Sequence, residues 1–187
     1  MRYVWGLGVL LALAPWVSAD TGCKVERSAQ VGFQSPGSKD RLTVTVAGEP
    51  CSEAQLTIKI DDAKGRELYL YEGLLLDHLP FVVYEPDLQP LVTYFAEKVI
   101  RDGFIRTTRD LPAWEPVESY YEKTNDIIII PQAAYRALRE TPRPIFWHAA
   151  GDATWVHVVF NPDQRYGQII MRGGVFQSAV NNPESAD

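Results

Sequence analysis

The chain has 187 residues, 46% of them hydrophobic, and a formal net charge of −6. That length and apolar content suffice for one ordinary globular domain with its own core, needing no metal or dense disulfide network. The acidic balance argues against nucleic acid and anionic lipid as partners, since both attract Lys and Arg.

Residues 1–19 read as an export signal. Arg2 provides a positive start, residues 4–13 an apolar run of about ten residues, and Val17, Ser18 and Ala19 the small residues of a peptidase site. A permanent membrane helix needs about 20 apolar residues. The expected mature chain is therefore a single domain, residues 20–187, periplasmic or secreted in the bacterial style, with no membrane anchor. Cleavage removes Arg2 and leaves the chain one unit more acidic.

Cys23 and Cys51 are the only cysteines. In an oxidising compartment such a pair is expected to form one disulfide. The rival, acylation of Cys23, is disfavoured by Asp20 and Thr21, which stand where a lipoprotein signal carries apolar and small residues.

The N-terminal part reads as β structure. Residues 26–33 suggest a strand, and 35–38 a Ser-Pro-Gly-Ser turn. Residues 41–47 alternate Leu42, Val44 and Val46 with polar neighbours, and 54–60 alternate Leu56, Ile58 and Ile60 in the same way. Period-two alternation predicts strands with one wet face. A turn at 61–65, with Gly65 available for positive φ, leads into a strand at 67–71 and makes a hairpin.

Asp87 is expected to cap a helix carrying Leu88, Leu91, Val92, Phe95, Ala96, Val99 and Ile100 at helical spacing, with Pro90 in its first turn. Gly103 is expected to end it in the left-handed conformation. The irregular stretch 107–125 is long for a plain connection and reads as a functional loop or a disordered segment. Residues 127–130 suggest a buried strand or a helix lead-in, and 131–139 a short helix with proline at its start. Three strands, 145–149, 154–160 and 166–171, then form a meander. The fold class is α+β: N-terminal hairpins and the meander in antiparallel sheet, one main amphipathic helix packed on the first sheet, and a short second helix.

Sequence signals for chemistry are weak. His148 and His157 share a face only in one register of their hairpin, and a one-residue slip separates them. No His-x-x-x-His or Cys-x-x-Cys spacing supports a metal, and no cofactor or catalytic residue is expected. No serine sits in a Gly-x-Ser-x-Gly turn. Glu115 and Glu118 can be nominated as paired carboxylates, but only geometry could place them across a cleft. Gly173 and Gly174 follow a strand without a helix behind them, a poor phosphate cradle. Asp61 and Asp62 make no more than the start of a calcium loop.

Aromatic residues supply the remaining candidates: Trp114, Tyr120, Tyr121, Trp147, Trp155 and Tyr166. The segment around Trp114, Glu115, Glu118, Tyr120 and Tyr121 is aromatic, acidic and broken by Pro112 and Pro116, a composition suited to a contact loop. The expectation is a non-catalytic binding protein of the envelope. Its partner would be another protein, with a cationic hydrolase or toxin suited to the acidity. The alternatives are a small extracytoplasmic enzyme using carboxylates or histidine, and an accessory subunit that pairs a sheet edge with its partner.

Overall fold

The computed structural model describes residues 22–79, 88–104, 106–115, 125–151 and 153–174. Residues 1–19, expected to be an export signal, and Asp87, Glu118, Tyr120, Tyr121 and the tail from residue 175 lie outside them. The fold is α+β, built on two antiparallel sheets.

The first sheet runs in chain order: β1 (Cys23–Val31), β2 (Asp40–Gly48), β3 (Gln55–Asp61) and β4 (Glu67–Leu74). The alternation read from the sequence sets its register. Leu42 pairs with Ile60, Val44 with Ile58 and Val46 with Leu56, and all six side chains are fully buried. Burying one such side chain contributes about 1.5–3 kcal/mol, so these three ranks hold the sheet to a single register.

Two aspartates shape the turns. The buried Asp40 carboxylate accepts from Phe33 N, Gln34 N, Gln34 Nε2 and Ser38 Oγ, which fixes the β1–β2 turn. Asp62 accepts from Lys64 N at 2.7 Å and Arg66 N at 2.9 Å, while Gly65 takes φ +78°. These backbone bonds, Arg66 first, hold the Asp62 carboxyl below its ordinary range. Its acceptor capacity closes the hairpin.

Cys23 and Cys51 form a disulfide, with Cα atoms 4.8 Å apart. It ties the start of β1 to the short 3₁₀ turn Cys51–Glu53 that follows β2.

The main helix, α1 (Gln89–Asp102), lies over β1 and β2. It buries Val92, Phe95, Ala96 and Val99, with Pro90 in its first turn. Leu88 occupies the N-cap position, and the expected Asp87 cap falls outside the described residues. The left-handed ending at Gly103 is not found: Gly103 keeps right-handed angles, φ −67° and ψ −26°. Glycine is needed there for close packing, because a Cβ would stand 2.6 Å from the Phe146 ring. This lets Trp147 N reach Gly103 O at 2.8 Å.

The second sheet contains β5 (Arg106–Thr107), β6 (Asp126–Ile128), β7 (Pro144–Gly151), β8 (Thr154–Asn161) and β9 (Tyr166–Gly174), in the spatial order β5-β7-β8-β9-β6. The meander thus packs against the first sheet as a separate sheet, extended by one short strand on each side. Residues 127–130 are only alternately buried: Ile128 and Ile130 point inward, and Ile129 is exposed.

Both faces of this sheet meet apolar material, which explains the unbroken run Trp155 to Phe160. One face sends Phe146, Val156, Val158 and Phe160 into the main core. The other sends Ile145, Val159, Ile170 and Met171 into a second core with Tyr135 and Leu138 of α2 (Gln132–Glu140). That helix roofs only part of the face.

Candidate functional site

Register sets out the part of this face that lines an open cleft. Ile145 on β7 pairs with Arg106 on β5. One rank along, Trp147 pairs with His157 on β8, His157 with Met171 on β9, and Met171 with Ile128 on β6. In the next rank, Ala149 pairs with Trp155, Trp155 with Gly173, and Gly173 with Asp126. Two indoles, a histidine and a carboxylate thus project from one face.

The cleft measures about 500 Å³. Trp147, Trp155, His157, Met171 and Ile145 line it from the sheet, and Asp126 from the β6 edge. Lys98, Asp102 and Gly103 at the end of α1 contribute to its lining, as do Arg106 and the run Asp110, Leu111, Pro112. A mostly apolar concavity of this size with a few polar groups is the usual form of a ligand site.

Trp155 and Asp126 are clasped together, with indole Nε1 donating to Asp126 Oδ1 at 2.8 Å. Gly173 makes the clasp possible, since a Cβ there would collide with both Trp155 Nε1 and Asp126 Oδ1. This is the structural role of a glycine that the sequence offered only as part of a weak phosphate motif. Burial raises the Asp126 carboxyl above its ordinary range, against the opposing pull of the indole hydrogen bond.

His157 is 9% exposed, and its Nδ1 is buried with no hydrogen-bond partner. Buried polar atoms are nearly always paired, so an unpaired one in a cleft-lining residue is the natural partner for a ligand group that reaches it. Burial lowers its pKa to about 4, with the Arg106 charge adding to the effect. The imidazole is neutral at neutral pH.

His148 stands apart from this. It pairs with Val156, so its side chain leaves the opposite face of the sheet from His157. The two-histidine arrangement considered from the sequence is not formed. His148 is fully buried between the sheets, with Nδ1 donating to Ala149 O and Nε2 accepting from Tyr69 Oη at 2.7 Å. Tyr71 Oη likewise donates to His78 Nε2 at 3.0 Å, while His78 Nδ1 donates to Leu74 O. Every ring nitrogen of this pair of histidines is satisfied, and burial keeps both tyrosines protonated and both imidazoles neutral. The cluster joins the two sheets. Among the described residues no set of three or more His, Cys, Asp or Glu side chains could hold a metal.

Of the loop residues singled out in the sequence, Trp114 and Glu115 are described. Trp114 is half-buried and packs against the second core. It lies two residues beyond Pro112 at the cleft wall. Glu118, Tyr120 and Tyr121 lie outside the described residues. Arg106 and Asp126 were not recognised in the sequence, because neither sits in a motif and both act from short edge strands. A usable signal was present in β8. Trp155 and His157 alternate on one face of a strand whose opposite face carries Val156, Val158 and Phe160.

No protein-family model matches the chain, and neither a curated protein nor a solved structure does. No helix among the described residues is long and apolar enough to cross a membrane.

Proposed function

We propose that this is an exported, non-catalytic binding protein of the bacterial envelope. Its partner is another protein, and the open cleft on the five-stranded sheet is where part of that partner docks. The observation that carries the reading is His157 Nδ1, buried without a partner in a cleft walled by two indoles. A group entering there would gain aromatic contact area and relieve a desolvated polar atom, the two features that concentrate binding energy. The acidic surface supports a cationic partner through faster association. Trp114 and Glu115 follow the cleft-lining Pro112 in the chain, and in this reading they extend the contact.

The test is affinity capture from an envelope extract at low and high salt, with wild-type and Trp147→Ala baits side by side. A partner retained by the first and lost from the second supports the reading. Equal capture by both would place the contact surface elsewhere.

An enzyme is the second reading, favoured by the raised carboxyl of Asp126 and the depressed imidazole of His157 in one cleft. Register weighs against it. Asp126 and His157 stand two strands and one rank apart, with backbones roughly 12 Å from each other. Asp126 is also engaged by Trp155. An acid and base so placed do not share a proton. An accessory subunit that lends a sheet edge is supported less, since the β1 edge carries Lys24, Glu26 and Arg27, the kind of charge that blocks strand addition.

A further inference from the structure

Most charges around the cleft are committed within the protein. Asp102 is held by Lys98 Nζ at 2.8 Å and Arg101 Nε at 3.0 Å. Asp110 accepts from Thr107 N and Thr107 Oγ1, each at 2.9 Å. Asp126 accepts from Trp155. Arg106 is different. It is exposed at the β5 edge, and among the described residues its guanidinium has no hydrogen bond or ion pair. Its charge nevertheless reaches His157, the cleft-lining residue whose buried Nδ1 lacks a partner. Both stand beside Trp147: His157 directly opposite it, and Arg106 one rank away on the neighbouring strand.

The chemistry of an occupant follows from these groups. A carboxylate suits Arg106, whose planar fork donates two parallel hydrogen bonds. In its Nδ1–H tautomer, neutral His157 adds a further donor. A flat ring suits the indoles of Trp147 and Trp155, because aromatic pairs gain beyond the area they bury. A cationic group would meet the charge of Arg106, which the Asp110 and Asp126 carboxylates offset only in part and without a hydrogen bond or ion pair to it among the described residues. A wholly apolar one would leave His157 Nδ1 desolvated and unpaired.

We infer that the cleft takes an aromatic carboxylate, its ring against Trp147 and Trp155 and its carboxylate held by Arg106 and His157 Nδ1. This rests on the cleft being the docking site and specifies the group that docks. The overall acidity of the chain would still steer a cationic partner, which presents this one acid locally. The group is the C-terminal aromatic residue of the partner protein.

The experiment follows the indole N–H resonances of Trp114, Trp147 and Trp155, the three tryptophans outside the export signal. The probes are 3-phenylpropionate, 3-phenylpropylamine, and the peptide Gly-Gly-Gly-Phe with a free or amidated C-terminus. The acid should shift Trp147 and Trp155 saturably, and the amine and the amidated peptide should not. Arg106→Gln, an exposed substitution, should weaken acid binding about tenfold or more without changing the melting temperature. The free-carboxyl peptide should bind more tightly than the small acid, and the reverse would overturn the protein terminus as the occupant. If the amine binds as well as the acid, or Arg106→Gln keeps full affinity, the acid assignment is overturned and the cleft stands as a docking site. If no probe moves either indole, the acid assignment is also overturned, and the paired-bait capture reads the docking site independently.

Discussion

Tyr69 Oη lies 2.7 Å from His148 Nε2, a hydrogen bond that joins β4 of one sheet to β7 of the other. Tyr69 is 4% exposed and His148 fully buried, so neither group has water to fall back on. Tyr69→Phe keeps the ring and removes the donor. The unpaired imidazole nitrogen should then cost about 1–3 kcal/mol in denaturant unfolding, with the fold retained. A loss within error of zero would mean that this bond does not couple the sheets.

Acid should weaken the protein before its carboxylates titrate. Burial brings both His148 and His157 to about 4, below the ordinary 6.5. As pH falls through 6.5, the unfolded chain binds these protons and the folded chain does not, so stability drops. Their contribution is complete above about pH 6.5 and fully lost below about pH 4, at roughly 3 kcal/mol per histidine. Urea unfolding at pH 7.5, 5.5 and 4.5 measures the slope, and His157→Leu should remove part of it. Stability that is flat or rising toward pH 4.5 would contradict the placement of these rings.

Gly173→Ala should break the clasp between Trp155 and Asp126, because the added methyl has no space beside either group. Expected are a changed Trp155 fluorescence and a loss of roughly 1–3 kcal/mol. A variant with wild-type fluorescence and stability would show that the clasp is not held as described.

Phe95→Ala tests how α1 is seated. The ring is 8% exposed and belongs to the main core, so truncation should cost about 3–5 kcal/mol. A cost under about 1 kcal/mol would place the helix off the first sheet.

The disulfide permits a covalent check. With the proposed cleavage after Ala19, the mass should be two protons below that of the reduced chain from Asp20. Reduction should cost roughly 3–4 kcal/mol for a loop of 28 residues. A lipid adduct on Cys23 would overturn the bond and the released state together.

What the sequence made legible divides along a physical line. The alternation of Leu42, Val44 and Val46 against Leu56, Ile58 and Ile60 could be read directly, because one buried face forces period two. The stripe of α1 and the Asp62–Gly65 turn were equally local. The cleft was not, since it depends on which strands become neighbours. Arg106 and Asp126 lie 20 residues apart in the chain and reach one concavity only because β5 and β6 flank the meander on opposite sides. The glycines show the same limit. Gly65 was recognised by its turn, whereas Gly103 and Gly173 serve contacts with Phe146 and Trp155 that arise only on folding.

The central claim is that a partner docks in the cleft of Trp147, Trp155 and His157, and the most direct measurement is the indole N–H spectrum of the protein bound to a captured partner. The account predicts that the Trp147 and Trp155 resonances shift or broaden on binding, and that Trp147→Ala weakens the complex by about 2 kcal/mol or more without lowering the melting temperature. A complex that leaves both resonances in place, and whose affinity Trp147→Ala does not change, would contradict it.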